Sequence, residues 1–151
     1  MTIIQDIESV VGEKGLITGK DVFNRKAGIW IDDGIRADAI VRPKDTLELS
    51  RVLAICNENK QAVIPHGGLT GLAEGAITQR GQIAISSERL TAIEEVDEIG
   101  RTMTLQAGVP LEKAQEEAEK YNLMLPVDLG ARGSCTVGGN ISTNAGGNMV
   151  I

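Results

Sequence analysis

Residues 65–75 read PHGGLTGLAEG, and this glycine-rich stretch directly follows an apolar run at residues 61–64. The apolar run predicts a β-strand that ends where Pro65 begins the loop. A strand that leads into a glycine-rich loop is typical of phosphate sites, because glycine lets a ligand approach the backbone closely. We therefore expect this stretch to hold the pyrophosphate of a nucleotide-type cofactor.

A second glycine-rich stretch occupies residues 128–147 and reads DLGARGSCTVGGNISTNAGG. Residues 67–75 hold four of the 18 glycines of the chain and residues 130–147 hold six, so the clustering is uneven. Serine, threonine and asparagine are interleaved with these glycines and supply hydrogen-bond donors beside an accessible backbone. The alternative interpretation is structural: the glycines form turns, and Asn140 and Asn144 cap them.

The spacing of the first stretch excludes the two common phosphate motifs. A P-loop needs a lysine after its last glycine, and no lysine follows Gly71 or Gly75. A dinucleotide-binding turn needs the pattern G-x-G-x-x-G at the start of a helix, which the pair Gly67 and Gly68 does not provide. These exclusions favour a nest, in which successive backbone N–H groups surround an anion, with Thr70 adding a hydroxyl donor.

The rest of the chain predicts a domain of mixed helices and strands. Asp45 and Glu48 are spaced to cap a helix start reciprocally, and Pro110 suits a helix first turn. The predicted helices cover residues 2–11, a segment from 45 with Leu49, Val52, Leu53 and Cys56 on one face, and residues 110–121. The predicted strands cover residues 39–41, 61–64, 82–86, 102–106 and 123–125.

Composition limits the function classes that remain. The 151 residues carry a net charge of -6, which gives no basic field for nucleic acid. One histidine, His66, and two distant cysteines, Cys56 and Cys135, leave no protein-built metal site. Neither a secretory signal nor a membrane-spanning apolar run is visible, so we expect a cytoplasmic protein without a membrane span.

The two glycine-rich stretches together resemble one family of flavoproteins. Residues 65–72, PHGGLTGL, and residues 126–147, PVDLGARGSCTVGGNISTNAGG, resemble the FAD-linked oxidases of the vanillyl-alcohol oxidase and PCMH type. Within that superfamily the chain is most similar to the D-2-hydroxy-acid dehydrogenase branch. That branch includes D-2-hydroxyglutarate and D-lactate dehydrogenases and the flavin subunit of glycolate oxidase. The similarity runs from about residue 39 to 147.

The resemblance implies an α+β, PCMH-type FAD-binding domain of two α/β subdomains with the cofactor between them. It also implies the residues that contact FAD. The backbone around the pyrophosphate would be that of Pro65, His66, Gly67, Gly68, Leu69, Thr70, Gly71 and Leu72. The isoalloxazine and ribityl end would be lined by Pro126, Gly130, Ala131, Ser134, Gly138, Gly139, Asn140 and Thr143.

The family reaction oxidises a 2-hydroxy acid to a 2-oxo acid and passes a hydride to the flavin. Relatives that attach FAD covalently carry a histidine where this chain has Leu69, so the resemblance implies non-covalent FAD. His66 precedes the paired glycines, and we interpret it as a packing or hydrogen-bonding residue near the phosphates rather than a catalytic base. Arg36 and Arg132 are weak candidates for binding a substrate carboxylate.

Members of the family continue beyond the position of Ile151 into the rest of the FAD domain and a substrate-binding cap domain. We therefore expect residues 1–151 to be the N-terminal part of an FAD-binding domain, without the cap, its metal-binding histidines or any catalytic residue. The isolated chain is expected to be inactive. Two alternatives stay open: a non-catalytic module that binds FAD or self-associates through exposed surfaces, and a UDP-N-acetylmuramate dehydrogenase-like flavin reductase.

Overall fold

The computed structural model describes residues 2–29, 31 and 33–150. The sequence Asp-Asp-Gly at residues 32–34 predicts a turn, and the first of these residues lies outside the described ones. The chain divides into two compact units, Met1–Arg89 and Leu90–Ile151. Each unit contains both helices and strands, as expected of an α+β domain. None of the helices in the described ranges is long and apolar enough to cross a membrane.

The first unit is built on a four-stranded sheet. Its elements in chain order are α1 (Ile3–Val11), β1 (Leu16–Thr18), α2 (Lys20–Phe23), β2 (Ala39–Val41), α3 (Thr46–Glu58), β3 (Ala62–His66) and β4 (Gln82–Ser86). The strand order is β1-β2-β4-β3. Strand β1 pairs antiparallel with β2, whereas β2, β4 and β3 run parallel. The carboxyl ends of β3 and β4 therefore lie at the same edge, where residues 67–75 begin.

The two central strands are buried on both faces. Val41, Ile83 and Ile85 belong to a core cluster that includes Val52 of α3 and Ile7 of α1. The alternating residues Ile40 and Ala84 belong to a second cluster with Val22, Ala27, Ile35 and Ala37. Because side chains alternate along a strand, this division shows that each face of the sheet has its own apolar cover.

Capping contacts confirm the predicted starts of α1 and α3, and at α3 they differ in one hydrogen bond from the expected pair. Thr2 and Gln5 form a complete capping box at α1, and Gly12 ends that helix with a φ of 68°. At α3, Asp45 accepts a hydrogen bond from the Glu48 N–H at 2.8 Å. The Glu48 carboxylate, however, accepts from Lys44 N–H at 2.9 Å rather than from Asp45, so the expected reciprocal pair is only half formed.

Three sequence-based expectations about elements were wrong in detail. Leu53 was expected on the buried face of α3, but it is 42% exposed, because the buried stripe follows Val52 and Cys56 instead. Strand β3 continues through Pro65 to His66, which an edge strand tolerates because its outer N–H groups have no partner strand. Residues 123–125 form no strand; the Leu123 N–H bonds to Ala118 and the Leu125 carbonyl to Val127.

The second unit combines a hairpin with two helices. Its elements are β5 (Ile93–Asp97), β6 (Thr102–Leu105), α4 (Leu111–Glu119) and α5 (Val137–Thr143). Strands β5 and β6 pair antiparallel, with a bulge between Ile93 and Glu95. The bulge places Ile93 opposite Leu105 and Val96 opposite Met103, so apolar residues three apart share one face. Apolar residues three apart do not give the alternating pattern that predicts a strand, so β5 was not expected.

The register of α3 yields a paired test of the core. We expect Val52→Ala to lower the free energy of unfolding by about 2 kcal/mol, because it removes two buried methyl groups and leaves a cavity. Its neighbour Leu53 serves as the matched control, and Leu53→Ala should cost less than about 1 kcal/mol because that side chain already contacts water. Chemical denaturation measures both values, and a larger loss at Leu53 would contradict the register.

Candidate cofactor site

The loop after β3 presents a row of backbone N–H groups without protein partners. Among the described residues, none accepts a hydrogen bond from any of the nine backbone N–H groups of residues 67–75. Residues 67–70 are only partly accessible to water, whereas residues 71–75 are exposed. Shielded backbone donors almost always have an acceptor in folded proteins, so this row is suited to receive an anionic ligand.

Four hydrogen bonds at the base hold the two ends of this loop. The His66 carbonyl accepts a hydrogen bond from the Ser87 N–H at 3.0 Å. The His66 imidazole Nε2 lies 2.9 Å from the Ala76 carbonyl oxygen, across the base of the loop. Thr78 Oγ1 accepts hydrogen bonds from the N–H groups of Arg36 and Ala37, at 2.9 and 3.1 Å. The loop is therefore fixed at its base and free of backbone pairing at its tip.

Two residues of this loop hold unfavourable backbone conformations. Leu69 and Glu74 have φ values of 56° and 59°, in the left-handed region that side chains other than those of glycine and asparagine seldom adopt. Such conformations cost on the order of 1–3 kcal/mol each and concentrate at ligand sites. At Gly71 and Gly75 an added Cβ would meet no atom within 4 Å. The backbone there faces open space that a ligand can enter.

The imidazole of His66 is buried and neutral. Its side chain is 3% exposed, and this burial lowers the pKa of His66, with the charge of Arg25 acting in the same direction against the raising effect of the Ala76 hydrogen bond. Because a carbonyl oxygen can only accept, Nε2 carries the proton and donates it to Ala76. His66 is therefore a buried hydrogen-bonding residue at the base of the loop, and its expected position near the phosphates stays a prediction.

A charged cluster lies beside the same sheet edge. Glu88 bonds Arg25 at 2.6 Å and Arg42 at 2.9 Å, so one carboxylate serves two guanidinium groups. Burial would raise the pKa of the Glu88 carboxyl, but hydrogen bonds and charges from both arginines outweigh it and lower the pKa. The three side chains together keep one net positive charge in an acidic chain, which favours an anion nearby.

The second glycine-rich stretch begins with a turn that also has unpaired donors. In the described part of the chain, the N–H groups of Leu129, Gly130 and Ala131 have no hydrogen-bond acceptor. A Cβ added at Gly130 would meet nothing within 4 Å. The turn is closed by hydrogen bonds from Arg132 N–H to Leu129 and from Ser134 N–H to Ala131. It is a second place where a ligand can reach the backbone.

Helix α5 follows this turn and was not expected within the stretch. Its first N–H groups are already satisfied: Val137 donates to Val109, Gly138 to Ala107 and Gly139 to the Thr136 hydroxyl. A Cβ at Gly138 would lie 2.6 Å from the Ala107 Cβ, so that glycine serves close packing. The N-terminus of α5 therefore has no free donors for a phosphate.

The polar side chains of α5 are likewise engaged within the unit. Thr143 Oγ1 donates to the Gly139 carbonyl at 2.9 Å, and the buried Asn140 amide lies 3.5 Å from the Cys135 sulfur. Asn144 ends the helix in the left-handed conformation, whereas Asn140 lies inside α5 and caps no turn. The contacts of Gly138, Gly139, Asn140 and Thr143 with FAD stay predictions.

The predicted site residues thus fall into two groups, each within its own unit. Pro65 and His66 end β3, and the loop that follows carries Gly67, Gly68, Leu69, Thr70, Gly71 and Leu72. In the second unit, irregular backbone carries Pro126, Gly130, Ala131 and Ser134, and α5 carries the rest. Sequence reasoning missed Thr78 and Ala76, since no motif marks a residue that anchors a loop from outside it.

The two candidate arginines are already paired with acids. Arg36 bonds Asp33 at 2.7 Å, and Arg132 bonds Asp128 at 3.2 Å. Both side chains are more than half exposed. Over the described ranges, no group of three or more histidine, cysteine or acidic side chains is placed to hold a metal ion. The described residues that suit a ligand are therefore backbone donors, which suit phosphate oxygens.

The fold and these donors define an α+β domain whose exposed loops can receive a phosphate-bearing cofactor. A family model described as "FAD binding domain" matches residues 37–151, which is most of the chain. The chain belongs to this FAD-binding family, and FAD is its cofactor. The unpaired donors of residues 67–75 fit such a cofactor, because a pyrophosphate offers several oxygen acceptors to adjacent N–H groups.

Relatives of known name share substantial sequence with the chain. It is 45% identical over 113 residues to a D-2-hydroxyglutarate dehydrogenase of Xanthomonas citri pv. viticola, covering 75% of this chain and 24% of the relative. It is 35% identical over 150 residues to a D-2-hydroxyglutarate dehydrogenase of Stutzerimonas stutzeri, covering 99% of this chain and 32% of the relative. The chain spans about a quarter to a third of these relatives.

Solved structures confirm the fold. An alkyldihydroxyacetonephosphate synthase structure superposes with a TM-score of 0.83 at 18% identity, covering 93% of this chain and 31% of that one. A p-cresol methylhydroxylase structure superposes with a TM-score of 0.72 at 18% identity, covering 94% and 28%. The fold is that of the PCMH-type FAD-binding domain, as the sequence resemblance implies.

Two glycines of the site should respond differently to a methyl group. We expect Gly138→Ala to lower the free energy of unfolding by about 1–3 kcal/mol, because its Cβ overlaps Ala107 in the packed unit. Gly71→Ala should change it by less than about 0.5 kcal/mol, because the space beside Gly71 is open. Chemical denaturation of both variants decides the matter, and equal losses would contradict the described packing.

Burial of the His66 ring predicts a pH dependence of stability. The folded pKa lies below the unfolded value of 6.5, so the unfolded chain binds the proton more readily. Burial of the neutral ring therefore leaves the stability of the fold unchanged above pH 6.5, and the stability declines as the pH falls below that value. We expect the free energy of unfolding to be lower at about pH 5.5 than at about pH 7.5, because these two pH values lie on either side of 6.5. His66→Gln, which cannot titrate, should reduce this decrease; an unchanged slope would exclude His66 as its source.

Proposed function

We propose that residues 1–151 are the FAD-binding portion of a flavin-dependent dehydrogenase that oxidises a D-2-hydroxy acid to the 2-oxo acid. The observation that carries this proposal is the row of unpaired N–H groups at residues 67–75 within an FAD-binding fold. The relatives named D-2-hydroxyglutarate dehydrogenase support the substrate class, because each aligns with most of this chain.

The two segments have different roles in the proposal. The backbone donors of residues 67–72 bind the pyrophosphate, with Thr70 Oγ1 as an added donor, since no described residue bonds that hydroxyl. The turn at Leu129, Gly130 and Ala131 provides donors to a polar edge of FAD. Because the first turn of α5 is satisfied internally, that helix contributes packing and position rather than phosphate contacts.

The protein part of the mechanism is binding and orientation. When bound, FAD supplies the redox chemistry by accepting the hydride of the hydroxy acid. Backbone donors held by a rigid base orient the cofactor without adding side-chain charge. We assign no catalytic residue to this chain, because Arg36 and Arg132 are paired surface residues and the buried His66 imidazole donates a hydrogen bond to the Ala76 carbonyl.

The proposal includes a non-covalent cofactor, because Leu69 offers no nucleophile to the flavin. We also propose a cytoplasmic location. We also propose self-association through exposed apolar side chains such as Leu72 and Ile141, which are 72% and 77% exposed.

A flavin titration tests the binding part of the proposal. The chain should quench the fluorescence of added FAD, and Gly71→Ala should weaken binding by about tenfold or more, since a methyl group there crowds the donors. Leu53→Ala, on the exposed face of α3, serves as the control and should bind as the parent chain does. Acid precipitation should release all of the flavin. A chain that does not quench FAD fluorescence would contradict the proposed binding. Flavin that stays with the protein after precipitation would contradict non-covalent attachment.

A chimera tests the substrate part. Residues 1–150 replace the aligned portion of the Stutzerimonas stutzeri relative, which matches this chain over 150 residues. We expect the chimera to hold FAD and to reduce an artificial electron acceptor with D-2-hydroxyglutarate but not with the L-isomer. The unfused chain should bind FAD and leave it oxidised with the same acid. A folded chimera that holds no FAD would contradict the proposed role.

A further inference from the structure

We infer that His66 is a positioning residue for the cofactor loop: its imidazole N–H holds residues 67–75 in the shape that binds FAD by bonding the Ala76 carbonyl. The inference rests on the proposed function of this loop and extends it. It assigns to His66 a task other than contact with the phosphates. The donor, the acceptor and the loop between them are all within the first unit.

The loop itself makes few hydrogen bonds that would fix its shape. Ten positions separate His66 from Ala76, and the N–H groups between Gly67 and Gly75 form no hydrogen bonds to described residues. Within the described chain, the only backbone hydrogen bond that residues 67–75 make is the one their Glu74 carbonyl accepts from Ile77, at 3.1 Å. A loop with so few internal bonds would sample many shapes, and binding would bear the cost of ordering it.

The surroundings of His66 fix the ring itself. His66 ends β3 opposite Ser86 of β4, and its carbonyl accepts from the Ser87 N–H at 3.0 Å. The ring is 3% exposed, so it has little freedom to turn toward a ligand. A rigid donor on the central sheet thus meets the far end of the loop at Ala76. The ring thus links the two ends of the loop directly, while Thr78 holds the residues after Ala76 to Arg36 and Ala37.

The charge state of the ring separates this task from phosphate binding. A protonated histidine would be the usual partner of a phosphate, whereas burial and the nearby Arg25 keep this ring neutral. The Arg25 charge is itself shared with Glu88. A neutral imidazole has one N–H, and here Nε2–H is used by Ala76.

A set of His66 variants distinguishes the two tasks. In His66→Gln the amide nitrogen occupies about the position of Nε2 and keeps the bond, whereas the shorter His66→Asn does not reach Ala76. We expect His66→Asn to weaken FAD binding by about tenfold or more and His66→Gln by less than about threefold. Ser87→Ala is the matched control, because it removes a 3.3 Å hydroxyl contact to the same His66 carbonyl and leaves the ring in place.

Titration calorimetry with FAD, at a temperature where denaturation shows each variant folded, measures these effects. His66→Asn that binds FAD as tightly as the parent chain would overturn the inference. Equal losses in the Gln and Asn variants would overturn it too, because they would mean that the imidazole contacts the ligand. A parent chain that binds no FAD would contradict the proposed function. The hydrogen bond from His66 to Ala76 is tested separately by NMR of the ring nitrogens.

The ring nitrogens of the parent chain give a readout that needs no variant and no FAD. In ¹⁵N NMR at pH 7.5, the neutral ring should carry its proton on Nε2, and that proton should exchange slowly with solvent because it is buried and bonded. A proton on Nδ1 would overturn the inference, since Nε2 would then be an acceptor facing a carbonyl oxygen. Rapid solvent exchange of the Nε2 proton would also overturn it.

Discussion

Backbone N–H groups that are shielded from water need an acceptor, and residues 67–70 hold four that no described residue satisfies. This constraint explains how the first unit is built. The two faces of the sheet are covered and helices α1 and α3 are capped, yet the loop at the carboxyl ends of β3 and β4 is left with open donors. The simplest way to satisfy them is an anion with several oxygens, and the FAD of this family carries one in its pyrophosphate.

The remaining features of the first unit support that loop. Strands β2 and β4 are buried on both faces and form the rigid centre of the unit. Beside that centre, His66 at the end of β3 and Thr78 after the loop fix the two loop ends, and the unfavourable backbone at Leu69 and Glu74 persists because the ends are held. The second unit follows the same principle on a smaller scale, with an open turn at Gly130 beside a helix whose own donors are satisfied.

Sequence reasoning predicted what depends on local pattern. The loop at residues 67–75, helices α1, α3 and α4 and strands β2 and β4 follow from composition and spacing, and the structure confirms them. The resemblance of residues 65–72 and 126–147 supplied the family and the cofactor. Strand β5 was missed because a bulge shifts Ile93 and Val96 onto one face, and α5 because glycines and β-branched residues predict helices poorly. The tie from His66 to Ala76 depends on tertiary placement, which no spacing encodes.

The central claim is that the backbone N–H groups of residues 67–75 are the donors that bind FAD. Amide hydrogen exchange, resolved by residue and measured with and without saturating FAD, tests it most directly. We expect fast exchange across residues 67–75 in the free chain and strong slowing there on addition of FAD, with smaller changes in α1 and α3. FAD binding that leaves the exchange of residues 67–75 unchanged would contradict it.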